Sequence, residues 1–433
     1  MTGELAARFT EIHPPLAPSA ALAEANRCLY CFDAPCTAAC PTHIDVPRFI
    51  KKIASGNLRG AALTILDANV LGLSCARVCP VEVLCEGACV IERDSRPPIE
   101  IARLQRHAMD HFYARSPRLE AAATPARLRV ACIGGGPASL ACAAELRRHG
   151  VAVTIYDARP LAGGLNTYGI AEYKLRPQDS LLEVELVRSM GARIECNVEV
   201  GVHVTIEQLE RDYDALFIGV GLGPTEALGL PGEDLEGVVD ALRFIREYKT
   251  GTPRAGRRVI VVGAGNTAID AATAAVRLGA EEVSIVYRRS EPEMPAFRYE
   301  LELARQDGIR FHWLSRPVAI HGTTRVESLE CTRVELGEPD ATGRRAPKAI
   351  PGPTFHLPCD MVITAIGQSR LLQFLERCRG VALDRGRVIA DRETGRTANP
   401  RYFAGGDCVN GGREVVDAVA EGKRAALGMI LRL

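Results

Sequence analysis

The stretch Arg129–Leu165, RVACIGGGPASLACAAELRRHGVAVTIYDARPLAGGL, decides the fold. Val130–Ile133 is a short apolar run, long enough for one buried parallel strand. Gly134, Gly136 and Ser139 follow, then an Ala/Leu-rich helical stretch to His149, then a second strand, Val151–Tyr156, ending at Asp157. This strand–turn–helix–strand order carries the dinucleotide-binding fingerprint at its first turn. The glycines let backbone approach a pyrophosphate, and the helix N-terminus, with Pro137 fixing its first position and Ala138 next, offers it the free N–H groups that follow the proline. Ser139 replaces the third glycine and is still small enough for close helix packing. Asp157, 21 residues after Gly136, stands where an acid takes ribose hydroxyls.

Working outward toward the C-terminus, the same organisation recurs. Arg258–Gly263, RVIVVG, is another apolar strand; Gly263, Gly265 and Ala268 form a second fingerprint, with a helix over Thr267–Leu278 and a strand over Val283–Tyr287. The buried strand DALFIGVGLG, Asp214–Gly223, is echoed by CDMVITAIG, Cys359–Gly367. The second copy ends its second strand in Arg288 and Arg289, with Arg298 beyond, instead of a carboxylate. A guanidinium there accepts a 2′-phosphate and favours NADPH, or else stacks on adenine or faces solvent. The closing stretch YFAGGDCVNGGREVVDAVAEGKRAALGMI reads as a strand and tight turn over Phe403–Asp407 and a helix over Glu414–Leu431. Its helix N-terminus beside Gly405, Gly406 and Asp407 suits the polar chain of a cofactor.

Working toward the N-terminus, eight of the fifteen cysteines crowd into residues 28–89. CLYCFDAPCTAACP carries Cys28, Cys31, Cys36 and Cys40; SCARVCPVEVLCEGAC carries Cys75, Cys79, Cys85 and Cys89. The Cys-x-x-Cys opening and the Cys-Pro endings match iron–sulfur runs in which one cysteine serves a neighbouring cluster. Zinc knuckles repeat short Cys-x-x-Cys pairs, whereas here the gaps widen and the second run has none, so the spacing favours iron–sulfur over zinc. Residues 1 to about 27 and Val46–Asn69 read as helical, and Ala114–Arg127, rich in Ala, Pro and Arg, reads as a linker.

At 433 residues the chain has room for two or three domains. Fifty-three basic residues balance fifty-three acidic ones, which points to neither nucleic acid nor an anionic membrane surface. No apolar run is long enough to span a bilayer and MTGELAARFTEIHPP lacks a signal-peptide core, so the expected address is cytoplasmic. That address and the odd cysteine total argue against disulfides. The expected fold class is α/β. An α-helical two-cluster iron–sulfur domain (1–125) precedes two Rossmann-like dinucleotide-binding domains. The first comprises 126–240 and 366–433, and the second, 241–365, is inserted in it.

IGGGPASLACAAELRRHG, AGGL, VVGAGNTAIDAAT, VYRRSEPEMPAF, ITAIGQ and AGGDCVNGGREVVDAVAEGK together resemble the flavoprotein subunits related to the glutamate synthase small subunit and to the N-terminal half of dihydropyrimidine dehydrogenase. The resemblance covers nearly the whole chain. GPAS, Leu104-Gln105, the CPVEVLCEGAC spacing and CVNGG look closer to the pyrimidine branch, the small NAD(P)H-oxidising subunit of the bacterial two-subunit enzyme. It implies FAD in the first site, NAD(P)H in the second and two 4Fe-4S clusters in front. One cluster would take Cys28, Cys31, Cys36 and Cys89; the other would take Cys40, Cys79, Cys85 and Gln105. Spacing alone would choose Cys75, which the resemblance leaves out. For the flavin it carries over Val78, Gly136–Ser139, Asp157, Gly163, Gly164, Leu165, Lys174, Val200 and Asp407, beside the fingerprint Gly134 and Gly406. For the nicotinamide nucleotide it carries over Ala264, Gly265, Asn266, Thr267, Arg288, Arg289, Ala365, Ile366 and Gly367, beside Gly263. Asn266 and Pro295 depart from the family pattern and leave the NADH/NADPH preference open.

The implied activity is hydride transfer from NAD(P)H to FAD, then single-electron exit through the clusters. The implied partner is an FMN- and iron–sulfur-bearing catalytic subunit, in a heterotetramer that reduces uracil or thymine to the 5,6-dihydropyrimidine. The alternatives are the small subunit of NADPH-dependent glutamate synthase, working with a large amidotransferase chain, and a non-catalytic cysteine-rich scaffold. The cofactors perform the hard chemistry, so no acid–base dyad is expected, and His43, His107 and His312 read as surface or core residues. Cys132, Cys142, Cys196, Cys331, Cys359 and Cys378 read as small apolar residues; Cys408 is left unassigned.

Overall fold

The Arg129–Ile133 strand lies at the centre of a five-stranded parallel sheet. The order is Tyr402–Ala404, Ala215–Ile218, Arg129–Ile133, Ala152–Asp157, Arg193–Cys196. Val130 pairs with Val153 on one side and with Ala215 on the other, and all three are buried. A strand covered on both faces needs such a continuous apolar run. In this computed structural model the described residues are 7–94, 96–115, 118–119, 128–251, 254–339 and 345–432. Most of the expected Ala114–Arg127 linker lies outside them.

The chain divides into two compact units. The larger comprises Glu11–Thr167, Lys174–Leu222 and Arg370–Leu433. Its sheet is closed at one edge by Tyr402–Ala404, so the chain returns to the first sheet after the second unit has been built. Helix Pro137–Arg148 packs beside Val415–Ile430, and both bury small side chains, Ala138, Ala141, Ala418 and Ala425 among them.

The front of this unit is helical: Pro18–Ala25, Pro35–Ala39, Val46–Ala54, Leu58–Ala68, Gly72–Val78 and Ile101–Tyr113. Two expectations change here. The continuous helix over residues 46–69 is two helices, because the Asn57 side chain accepts from the Gly60 N–H and starts a new one after Ser55-Gly56. The helical reading of residues 1–27 holds over Pro18–Ala25, where Pro18 fixes the first turn; Pro14 and Pro15 stand in irregular chain ahead of it. Val46–Ala54 starts at Asp45, which accepts from the Arg48 N–H, and buries Val46, Phe49, Ile50 and Ile53 at the spacing of one helix face.

The smaller unit comprises residues 7–10, Tyr168–Tyr173 and Gly223–Ser369. Its parallel sheet runs Val238–Asp240, Met361–Thr364, Arg258–Val262, Glu282–Val286, Arg310–His312. The fingerprint strand is again central and its crossover partner again adjacent, the same order as in the first sheet. A second sheet in this unit is antiparallel: Ser315–His321, Ser328–Pro339, Arg345–Ala349 and Phe355–Pro358. The sequence reading draws no element there. Among the described residues no single helix is long and apolar enough to cross a membrane.

Candidate functional site

The cysteines fall into two groups in the helical layer. Cys28, Cys31, Cys36 and Cys89 line one cavity, walled by Val46, Ile50, Ile99 and Ile101. Burial pushes the Cys36 thiol up to about 11, with Cys28 and Cys89 adding to it, and raises Cys28 for the same reason beside Cys31 and Cys89. Four sulfurs facing one apolar cavity cannot ionise together unless cations compensate them. An iron–sulfur core supplies that compensation, so the donor set fits the group.

The second group centres on Cys79, at the end of helix Gly72–Val78. A hydrogen bond from its thiol to the Cys75 sulfur and burial hold Cys79 well above the ordinary value, with Cys85 and Cys40 adding to it. Cys75 is buried and accepts from Asn69 Nδ2 at 3.2 Å. Gln105, buried on helix Ile101–Tyr113, donates through Nε2 to the Gly72 carbonyl at 2.7 Å. Both candidates for a fourth ligand therefore lie on or against the Gly72–Val78 helix. Val78 is half-buried at its last residue.

This helix starts on a buried acid that sequence reasoning passed over. Glu183 accepts from the Leu73 N–H at 2.8 Å, the Ser74 N–H at 3.0 Å and the Ser74 hydroxyl. Burial outweighs those three donors and pushes its carboxyl up to about 7. Local pattern gives no signal for it, because the same face of helix Pro177–Ser189 also buries Asp179 and Ser180.

At the first fingerprint Gly134 has φ 91°, and a Cβ on it would lie 2.6 Å from the Gly219 carbonyl oxygen. Strand and loop can meet this closely only at glycine. Gly136 caps helix Pro137–Arg148 with no side-chain partner, leaving the first N–H groups free for an anion. The Ser139 hydroxyl in the first turn is buried without a hydrogen-bond partner. Asp157 accepts from the Gly135 N–H and the Arg159 N–H, each at 2.7 Å. A carboxylate has about four acceptor positions, so capacity for ribose hydroxyls remains. The Gly163 N–H bonds the Gly135 carbonyl at 2.7 Å, which seats the Gly163–Leu165 loop on the fingerprint turn. Lys174 and Val200 are buried in the same unit.

The C-terminal turn closes on this helix start: a Cβ on Gly406 would lie 3.1 Å from the Ala138 Cβ. Glu421 accepts from the Gly406 N–H at 2.6 Å and from Asn410 Nδ2 at 3.2 Å, a second anchoring acid the sequence reading missed. Burial raises the Asp407 carboxyl above its ordinary value, against the Arg413 N–H and Arg370, which lower it. Cys408 is buried, its thiol pushed up to about 12 by burial.

The second fingerprint repeats the geometry. Gly263 has φ 132° and a Cβ on it would lie 2.2 Å from the Ala365 carbonyl oxygen. Gly265 caps helix Asn266–Arg277, again without a side-chain partner. The Asn266 Oδ1 accepts from the Phe297 N–H at 3.1 Å, and Ala264 accepts from the Ala296 N–H, which ties this turn to the Met294–Phe297 loop. Arg289 donates to the Arg345 carbonyl at 3.0 Å, Arg298 pairs with Glu302, and Arg288 is exposed. Thr267, Ile366 and Gly367 are exposed beside this turn and Ala365 is half-buried. Of the other cysteines, Cys132, Cys142, Cys331, Cys359 and Cys378 are buried and Cys196 half-buried, as small apolar side chains would be.

Residues 5–116 match dihydropyrimidine dehydrogenase domain II, 4Fe-4S cluster, and residues 128–422 match pyridine nucleotide-disulphide oxidoreductase. The chain is 39% identical to the NADP(+)-dependent formate dehydrogenase subunit beta of Moorella thermoacetica, over 92% of this chain and 59% of that one. It is 37% identical to the glutamate synthase (NADPH) small chain of Escherichia coli, over 98% of this chain and 93% of that one. Among solved structures, Mycobacterium tuberculosis FprA in complex with NADPH shares the fold, with a TM-score of 0.58, at 22% identity over 71% of this chain and 84% of that one. The chain belongs to the pyridine nucleotide-disulphide oxidoreductase family, in a form with an N-terminal 4Fe-4S domain whose cofactors are FAD, two 4Fe-4S clusters and NAD(P)H as donor.

Proposed function

We propose that this chain is the electron-input subunit of a larger oxidoreductase, accepting hydride from NAD(P)H and delivering electrons singly to a partner subunit. FAD supplies the needed chemistry, since it accepts two electrons together and releases them one at a time. The chain's own residues bind and orient. The helix starts at Gly136 and Gly265 present N–H groups to phosphates, Asp157 takes ribose hydroxyls, and two cysteine groups hold the clusters. The observation that carries the reading is the duplicated parallel sheet, each copy with a glycine turn at its central strand, in one chain with eight clustered cysteines. The division into 1–125, 126–240 with 366–433, and 241–365, and a cytoplasmic address, belong to the same proposal.

For the partner, the reading best supported is a large glutamate synthase chain, because the small chain of that enzyme matches over nearly its whole length. A second reading, a pyrimidine-reducing FMN and iron–sulfur subunit, is favoured by the match of residues 5–116 to a dihydropyrimidine dehydrogenase domain. Purification with the co-expressed partner decides between them. Glutamine-dependent oxidation of NADPH supports the first, and NAD(P)H-dependent reduction of uracil or thymine supports the second. A complex that does neither removes both partner assignments.

A further inference from the structure

The antiparallel sheet of the smaller unit carries a group of side chains that no cofactor of the proposed electron path uses. Strand Ser328–Pro339 lies between Ser315–His321 and Phe355–Pro358. Side chains alternate across a strand, so one face of this sheet takes Leu329, Cys331 and Ile320, all buried, with Phe355 and Leu357 packed against them. The other face takes Glu330, with His356 directly opposite it on one neighbouring strand. On the other neighbour His321 pairs with Ser328, two residues from Glu330 and therefore on the same face. Strand register thus brings two imidazoles and a carboxylate together from three adjacent strands.

The geometry is close. One ligand atom from each of His321, Glu330 and His356 can be chosen so that all three lie within 4.8 Å of one another. His321 Nε2 stands 2.7 Å from Glu330 Oε2, and the two imidazole rings are 5.1 Å apart between centroids. Ligands on a tetrahedral zinc ion sit about 3.4 Å from each other, given metal–ligand bonds of about 2.0–2.2 Å. Both imidazoles are exposed, which leaves room for their side chains to rotate toward that spacing. A Thr354 side-chain hydrogen bond holds the Glu330 carboxylate, while its side chain keeps only 20% exposure and that of His321 keeps 47%. The carboxylate is therefore a partly shielded base of the site and the histidines form its open rim.

We propose that His321, Glu330 and His356 form a three-ligand site for a divalent transition-metal ion, with zinc the best match, completed by water. The two imidazoles are borderline donors that suit zinc, nickel or copper and discriminate against magnesium and calcium, which take oxygen; the one carboxylate is a ligand zinc also accepts. The ion takes the place of the hydrogen bond between His321 and Glu330, with one ring nitrogen of each histidine and one carboxylate oxygen as its donors. Since it ties side chains of three strands to one centre, the bound ion stabilises the small sheet.

The test uses anaerobically purified protein with flavin and clusters in place, stripped of loose metal and dialysed against zinc. One zinc per chain is expected in the unsubstituted protein, with iron and flavin contents unchanged by the treatment. His321→Ala and His356→Ala are each expected to weaken that binding by more than about 100-fold, beyond the roughly 10–100-fold lost with an outer-shell contact in a zinc site. Glu330→Gln weakens it less, because the amide oxygen still coordinates. Zinc raises the thermal midpoint of the unsubstituted protein and leaves that of the double variant unmoved. Zinc uptake that is absent, or equal in the unsubstituted protein and the His321→Ala/His356→Ala variant, overturns the proposal.

Discussion

Substituting the two fingerprint glycines one at a time separates the two nucleotide sites. In Gly134→Ala a Cβ enters at φ 91°, 2.6 Å from the Gly219 carbonyl oxygen; in Gly263→Ala it enters at φ 132°, 2.2 Å from the Ala365 carbonyl oxygen. Both obstacles are backbone, which no rotamer change relieves. Left-handed backbone costs a non-glycine residue about 1–2 kcal/mol and overpacking about 1–3 kcal/mol, so each turn is disfavoured by about 2–5 kcal/mol. At about 1.4 kcal/mol per factor of ten, nucleotide binding that needs the native turn weakens by roughly 30-fold to several thousand-fold. The assay is flavin content of the purified variants, followed by anaerobic addition of NADH or NADPH. Gly134→Ala is expected to lose flavin while retaining iron. Gly263→Ala is expected to keep its flavin and fail to reduce it with pyridine nucleotide, while dithionite still does. If Gly263→Ala instead loses the flavin and Gly134→Ala keeps it, the order of the two sites is reversed and the reasoning fails.

Four further outcomes rest on particular residues. Glu183→Ala leaves two backbone N–H groups and the Ser74 hydroxyl without an acceptor in a buried position; at about 1–3 kcal/mol each, the loss is roughly 3–9 kcal/mol, read as a lowered thermal midpoint and loss of iron. Because burial lifts the Glu183 carboxyl to about 7, the folded chain keeps a proton that the unfolded chain has already released. Stability of the unsubstituted protein therefore falls as pH rises from the ordinary carboxylate value toward 7; a denaturation series showing the same slope in Glu183→Gln would refute this. Gln105→Ala is expected to lose about half the iron and Cys75→Ser none, and the opposite pattern makes Cys75 the fourth ligand. Arg288→Ala is expected to raise the KM for NADPH by roughly fivefold and leave that for NADH unchanged, a modest effect because this guanidinium is exposed; equal changes remove it from the 2′-phosphate site.

Both fingerprint turns could be read from the chain because backbone sterics leave so few alternatives: a positive φ and a carbonyl within contact distance demand glycine at 134 and 263. The buried parallel strands were equally legible, their apolar runs of four or five residues ending at those glycines. Legibility ends where tertiary contact decides. The antiparallel strands escaped notice because Arg345–Ala349 and Phe355–Pro358 are half-exposed and mixed in character, with pairing set by distant partners. Val46–Asn69 looked like one helix because both halves bury an apolar face, and only the Asn57 cap divides them. Glu183 and Glu421 could not be found at all from local pattern. Each acquires its role from backbone donors, Leu73 and Ser74 in one case and Gly406 in the other, that lie far away along the chain or across a turn.

The most direct measurement is an anaerobic titration of the intact protein with NADH and with NADPH, followed by visible absorption. A yellow-brown protein whose flavin band bleaches within one equivalent of at least one donor, with electrons then appearing on the clusters, is the expected result. A flavin that stays oxidised under excess of both donors, or whose reduction never reaches the iron, contradicts the account.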